Sequence, residues 1–262
     1  MKHQARKRFG QNFLQDHSVI QRIVAAINPQ PSDALVEIGP GLGALTYPVL
    51  EIAGKLDVVE LDRDIIPILE SGAAEHGALT IHSADALKFD YQTLVTDNSQ
   101  LKVFGNLPYN ISTPLIFHLF KSAEVIAEMH FMLQKEVVQR MVAKPGSKQF
   151  GRLSVMTQYF CNANSLFIVP ASAFRPAPKV ESAIVRLKPY KIKPFIAENE
   201  VLLGQVVTTA FNYRRKTLRN ALKSYLDEAQ LIELNIDPKV RPETLSLEQF
   251  VRITNYLSKS QS

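Results

Sequence analysis

At residues 104–109 the chain reads Phe104-Gly105-Asn106-Leu107-Pro108-Tyr109, an apolar run that ends in an amide, a proline and an aromatic ring. The side-chain carbonyl of Asn106 and the main-chain carbonyl of Leu107 can each accept an N–H from one planar amine. Pro108 holds residue 107 extended, and the Tyr109 ring offers a face on which a flat base can stack. An adenine amine is a poor nucleophile, because its nitrogen lone pair is delocalised into the ring. Two acceptors on its far side favour a pyramidal nitrogen and aim the lone pair at a methyl group, by positioning and electrostatics alone. The same residue types after a strand also make an ordinary turn, so the chemistry depends on what the preceding strands carry.

Those strands carry a second set of groups. Gly39, Gly41 and Gly43 lie in EIGPGLGALT (37–46), directly after a predicted strand and opening a predicted helix. Glycines let the main chain turn tightly and let a ligand lie against it. The G-x-G-x-G spacing is not the G-x-G-x-x-G of dinucleotide enzymes, and it favours S-adenosylmethionine, which has no pyrophosphate to cradle. Glu60 ends the next strand, roughly 20 residues past the first glycine, where a carboxylate can accept from both ribose hydroxyls. Asp62 and Asp64 are close by, and Glu60 is preferred for its place at the strand end. A third strand ends in HSADAL, with Asp85 placed to accept from an adenine amine and Ala86 to offer a main-chain N–H. A plain turn cap at Asp85 is the competing reading.

The elements that must position these groups follow from periodicity. ALVEI (34–38), KLDVVEL (55–61), ALTIHSA (78–84), LKVFGNL (101–107), EMHFMLQ (128–134) and ESAIVRLKP (181–189) predict strands. TYPVLEIA, DIIPILESGAA, TPLIFHLFKSAE and KEVVQRMVA have helical spacing between them. This alternation predicts an α/β domain, residues 1–189, with a parallel sheet covered by helices. Lys188, Lys191 and Lys193 with Pro189 and Pro194 mark a linker, and amphipathic pieces predict a small helical domain over 190–262.

Composition bounds the remainder. The 262 residues, 46% of them hydrophobic, suffice for one large core and a small one. One cysteine, Cys161, excludes an internal disulfide framework, and the six histidines show no ligand spacing, so no metal is expected. No apolar run reaches the roughly 18 residues of a membrane span, and the default compartment is the cytoplasm. The net charge of +5 is concentrated toward both ends. The first acid is Asp16, after Arg6, Lys7 and Arg8. The RRKTLRNALK stretch carries Arg214, Arg215, Lys216, Arg219 and Lys223, with Arg215, Arg219 and Lys223 predicted four apart on one helical face. A solvated face is the ordinary meaning of such a run, but the two basic ends together favour an RNA backbone.

RFGQNFL (8–14), EIGPGLGALT, Glu60, Asp85, FGNLPYNIS (104–112), QKEVVQRM (134–141), FRPAPKVES (174–182) and RRKTLRNAL (214–222) together resemble the KsgA-type small-subunit rRNA adenine dimethyltransferases over nearly the whole chain. The resemblance implies a class I S-adenosylmethionine-dependent methyltransferase fold, Rossmann-like, with a small C-terminal helical domain. It implies dimethylation of two adjacent adenosines near the 3′ end of 16S rRNA, with immature 30S subunits as the partner and DNA excluded; a monomer is expected. Its cofactor residues map to Asn12, Leu14, Gly39, Glu60, Asp85 and Asn106, with Gly41 and Ala86 beside them. Tyr109 and Phe174 map to a base-stacking pair, the proline-rich FRPAPKV holding Phe174 across from Tyr109. Asn12 and Leu14 are expected to fold over the cofactor. Tyr213 departs from the pattern, which usually has Gln before RRKT. A DNA adenine methyltransferase, an enzyme of large-subunit rRNA and a non-catalytic assembly factor are the competing readings. The short basic C-terminal segment, RRKTLRNAL and the intact Asn106-Leu107-Pro108-Tyr109 weigh against them in turn.

Overall fold

The computed structural model describes residues 12–96, 99–212 and 215–260. In chain order the elements are β1 (Phe13–Leu14), α1 (His17–Ile27), β2 (Ala34–Ile38), α2 (Thr46–Ala53), β3 (Lys55–Glu60), α3 (Ile66–Ala73), β4 (Ala78–Ser83), β5 (Leu101–Asn106), α4 (Ser112–Phe120), β6 (Ile126–Gln134) and α5 (Lys135–Met141). There follow α6 (Arg152–Phe160), β7 (Cys161–Val169), β8 (Phe174–Arg175), β9 (Ser182–Pro189), α7 (Glu200–Phe211), α8 (Leu218–Ala221), α9 (Glu228–Glu233) and α10 (Leu247–Ser260).

Seven strands form one sheet in the order β4-β3-β2-β5-β6-β9-β7. The predicted sheet is parallel, and this holds from β4 through β6. Beyond β6 it fails: β9 runs antiparallel to β6, with Gln134 opposite Ser182 and Met129 opposite Leu187. β2 lies between β3 and β5, so successive crossovers leave it in opposite directions. A crevice opens at the carboxyl ends of β2 and β5 for that reason, and ligands of open α/β sheets bind in such crevices. Gly105 permits the close pairing there, because a Cβ at this position would lie 2.3 Å from the Ile38 carbonyl oxygen.

α1 and the two-residue β1 were not legible as elements of the fold. Asp16 caps α1 by accepting from the Ser18 and Val19 N–H groups, at 2.9 and 3.2 Å, and the helix buries Val19, Ile20, Ile23, Val24 and Ile27. β1 pairs antiparallel with β8, Phe13 opposite Arg175 and Leu14 opposite Phe174. Apolar side chains from α1, α2, β2, β3 and β8 form one core with Leu14 and Phe174 inside it.

The chain divides into two compact units, one running through Val138 and taking in Asn164–Pro189, the other made of Gln139–Ala163 and the chain from Tyr190 onward. The sequence places 139–163 in the first domain, and the structure places them in the second. The reason lies in the second unit's own packing. Tyr159 donates its hydroxyl to Glu200 at 2.9 Å and accepts the Ala197 N–H at 3.3 Å. Phe150 meets Phe211 edge-on and Phe211 meets Phe250 at a tilt, with centroids 6.2 and 5.8 Å apart.

Candidate active site

The loop after β2 is the first wall of the site. Gly39, Gly41 and Gly43 all have positive φ, at 67°, 55° and 85°, a region that costs side-chain-bearing residues energy. The helix read from TYPVLEIA is α2, which starts at Thr46, and a turn carries the glycines between β2 and it. Gly43 serves packing, since a Cβ there would meet the Tyr47 ring at 2.3 Å, whereas one at Gly41 would approach the Phe13 ring at 3.5 Å. Gly41 and Phe13 thus face each other across the loop.

A cleft of about 930 Å³ opens over the carboxyl ends of the strands. Asn12, Leu14, Gly39, Gly41, Glu60, Asp85, Ala86, Asn106, Leu107, Pro108 and Tyr109 all line it, so one cavity unites residues spread over nearly 100 positions of sequence. Among the three acids near the end of β3, Glu60 lines the cleft and Asp62 and Asp64 do not. Glu60 is 8% exposed. Burial raises its pKa, while N–H groups of Asp62, Leu61 and Gly41 oppose the rise. The Asp62 N–H lies 2.7 Å from its Oε1. Asp85 has both roles weighed for it: its Oδ1 accepts the Leu87 N–H at 3.0 Å, and the residue lines the cleft. Ala86 accepts the Tyr91 hydroxyl on its carbonyl at 3.2 Å.

Two cleft residues escaped the sequence. Glu37, on β2, is 2% exposed and its Oε2 accepts the Thr46 hydroxyl at 2.6 Å. Burial pushes its pKa up to about 8, offset by Thr46 and reinforced by the charge of Glu60. The signal was present, an acid inside the apolar strand ALVEI. Leu61 is half exposed beside Glu60 and lines the cleft, a place where an apolar side chain can cover a flat ring.

The turn after β5 is anchored at each residue. Asn106 donates Nδ2–H to the Asn12 carbonyl at 3.2 Å. Leu107 donates its N–H to the Met132 carbonyl at 3.2 Å. Tyr109 Oη and Ser182 Oγ are hydrogen-bonded at 2.7 Å, and burial raises the phenol pKa, so Tyr109 stays neutral. Phe174 requires a correction. It is 1% exposed in the core around α1 and does not line the cleft. A ring enclosed on both faces has none to offer a base.

The basic residues are only partly brought together. Arg6, Lys7, Arg8 and Arg214, with Tyr213, lie outside the described residues. Arg215, Lys216, Arg219 and Lys223 are all exposed. The single helical face predicted for Arg215, Arg219 and Lys223 is not formed, because α8 spans Leu218–Ala221 only. Its start is fixed by tertiary bonds, the Leu218 N–H to the Val240 carbonyl at 2.7 Å and the Arg219 N–H to the Pro238 carbonyl at 3.1 Å. Arg219 pairs with Glu228 at 2.7 Å. Among the described residues no cluster of His, Cys, Asp or Glu could hold a metal ion, and no helix is long and apolar enough to cross a membrane.

Residues 2–259 match the model of a family described as ribosomal RNA adenine dimethylase. A protein of Marinomonas sp. (strain MWYL1), ribosomal RNA small subunit methyltransferase A, is 56% identical over 259 residues, which cover 99% of this chain and 97% of that one. The protein of the same name from Pseudoalteromonas translucida (strain TAC 125) is 57% identical over 97% of this chain and 95% of that one. A solved dimethyladenosine transferase from Plasmodium falciparum superposes with a TM-score of 0.79 over 95% of this chain and 98% of that one, at 24% identity. The 23S rRNA methyltransferase ErmE superposes with a TM-score of 0.73 over 94% and 100% of the two chains, at 23% identity. At those identities the two structures speak for the fold.

Proposed function

Because this chain belongs to the ribosomal RNA adenine dimethylase family, we propose that it dimethylates two adjacent adenosines near the 3′ end of 16S rRNA, acting on immature small subunits. The enzyme is an S-adenosylmethionine-dependent rRNA adenine methyltransferase of the class I fold. One observation carries the finer reading: the Asn106 amide stands at the switch point of the sheet, in the same cleft as the glycine loop and the Glu60 carboxylate.

The donor set suits that cofactor, which carries positive charge, ribose hydroxyls and an adenine. Glu60 and Asp85 bring acidic side chains to one cleft, with the buried Glu37 carboxyl beside them, and the glycine loop lets a ligand approach the main chain. In this reading Glu60 holds the ribose, Asp85 and the Ala86 N–H hold the adenine, Gly39 and Gly41 provide the bed, and Asn12 and Leu14 cover it. When bound, the cofactor supplies an electrophilic methyl on its sulfonium.

The chain's own task is to present the amine. Asn106 Oδ1 and the Leu107 carbonyl accept the two amine N–H groups, and the Tyr109 ring supports the base. These acceptors stabilise the pyramidal nitrogen that forms as the methyl is transferred, and so act on the transition state more than on the ground state. The methylated nitrogen is briefly cationic and acidic, and it loses its proton to water. The exposed Arg215, Lys216, Arg219 and Lys223, with Arg6, Lys7, Arg8 and Arg214, neutralise RNA phosphates in this reading. A monomer working in the cytoplasm completes it.

The test is methyl transfer from labelled cofactor to immature 30S particles, with 50S precursors and duplex DNA in parallel, followed by nucleoside analysis of the 16S 3′ end. Dimethyladenosine at adjacent positions, found with 30S particles alone, is the expected result. Equal labelling of 50S precursors would point to large-subunit rRNA.

A further inference from the structure

We infer that the main-chain carbonyl of Asn12 is a positioning group for the Asn106 amide, and that the β1–β8 ladder serves to hold that carbonyl in place. The inference rests on the reading of Asn106 as the acceptor of the substrate amine. A primary amide has an accepting end and a donating end of nearly the same shape, and a half-turn of its terminal bond exchanges them. Turned the wrong way, Asn106 would offer N–H groups to an amine that is itself a donor. The Asn12 carbonyl, 3.2 Å from Nδ2, can only accept. It therefore selects the rotamer that leaves Oδ1 to the ligand.

What fixes a main-chain carbonyl so near the start of the chain is visible in the next four residues. Phe13 and Leu14 pair with Arg175 and Phe174. The N–H groups of Gln15 and Asp16 both reach the Ala173 carbonyl, at 2.8 and 3.3 Å. Leu14 and Phe174 are 5% and 1% exposed in the same core. This gives the enclosed Phe174 a role compatible with its burial: it anchors the strand that orients Asn106, some 70 residues away in sequence.

The test compares Phe174→Leu and Phe174→Ala with the parent. Turnover is measured at saturating cofactor and RNA, and the Asn106 side-chain amide is followed by ¹⁵N NMR without RNA, its signals identified by their loss in Asn106→Asp. In the parent, one Asn106 amide proton should be shifted and slow to exchange, as expected of a held donor. Phe174→Ala should abolish that protection and lower kcat by about tenfold or more, the scale on which misplacement of a reacting group acts. Phe174→Leu should restore both together, which a lost stacking face would not allow. If the alanine variant fails to fold, Phe174→Val takes its place in the comparison. A disturbed amide with kcat within about twofold of the parent, well inside the effect of a misplaced group, overturns the inference; so does a fall in kcat with the amide unchanged. Asn106→Ala separates the two levels: full turnover in that variant removes the acceptor reading itself, whereas a dead Asn106→Ala beside an active Phe174→Ala with a disturbed amide removes only the role of Asn12.

Discussion

Tyr109, on the turn after β5, and Ser182, the first residue of β9, share a hydrogen bond of 2.7 Å between their hydroxyls. Ser182 is wholly buried, so the phenol both satisfies a hidden hydroxyl and fixes its own ring at the cleft wall. Tyr109→Phe should cost about 1–3 kcal/mol of stability, the penalty of an orphaned buried polar group, with kcat nearly unchanged. Tyr109→Ala should weaken substrate RNA binding by about 1–3 kcal/mol through lost stacking. Urea unfolding and RNA titration measure the two separately. A phenylalanine variant as stable as the parent would remove the anchoring role.

Glu37 makes stability depend on pH. Its ordinary value is 4.5 and burial pushes it up to about 8 in the folded protein. Between those values the unfolded chain has released the proton and the folded chain has kept it. Linkage then gives a stability that is full below the ordinary value and falls as pH rises toward 8. Glu37→Gln should flatten that decline in the cofactor-free protein, leaving the share of Glu60, which burial shifts the same way, set against His130, whose burial lowers its pKa to about 4 and makes stability rise with pH up to its ordinary value of 6.5. Denaturant titrations at pH 5, 6, 7 and 8, on the order of one unit apart across the window, check the slope. An equally steep decline in the variant would contradict the assignment.

Gly105 on β5 lies against Ile38 of β2 with no room for a side chain. A methyl group there would meet the Ile38 carbonyl oxygen at 2.3 Å, and main chain cannot move aside as a flexible side chain can. Gly105→Ala should destabilise the protein by about 1–3 kcal/mol, as overpacking does. It should also lower kcat beyond what the folded fraction explains, since Asn106 follows directly. Thermal unfolding together with turnover per folded molecule decides between a purely structural and a combined effect.

RNA binding should be steeply salt-dependent, with each neutralised phosphate adding about 0.7 to the slope on single strands. Arg215→Gln with Lys223→Gln should reduce the slope by about 1.4 if each residue holds one phosphate. Arg219→Gln should do less, because Glu228 already offsets that charge at 2.7 Å. Cofactor affinity should stay unchanged in both. Affinities at several salt concentrations provide the measurement, and an unchanged slope in the double variant would return these residues to the role of a solvated surface.

Much of the site was legible because it is written locally. Each of the parallel strands β2, β3, β4 and β5 announces itself by an apolar run, and each ends in a group whose chemistry depends on type and position: glycines after β2, Glu60 on β3, Asp85 after β4, Asn106 on β5. A strand that ends at the carboxyl edge of a parallel sheet delivers its last residue to the same side as its neighbours. Spacing along the chain therefore became proximity in space. Glu37 was passed over although an acid inside the apolar run ALVEI is visible in the sequence, because the group it faces, Thr46, is brought to it only when β2 and α2 pack.

What the sequence by itself determined is the set of strands, their terminal groups and the chemistry those groups permit. Only the tertiary structure decided how elements far apart in the chain meet. β7, CNANSLFIV, is an edge strand with mixed burial and no clean alternation, so nothing local marked it. α8 ends after one turn where residues 215–223 alone read as a longer helix, the local signal yielding to hydrogen bonds with Pro238 and Val240. Phe174 reads from sequence as a ring available to a base, yet the pairing of two residues on β1 with two on β8 seals it in the core. The physical reason is common to all three. Periodicity and residue type report interactions within a few positions of the chain, whereas burial, edge position and the partner of a main-chain group are set by long-range contacts that no short window contains.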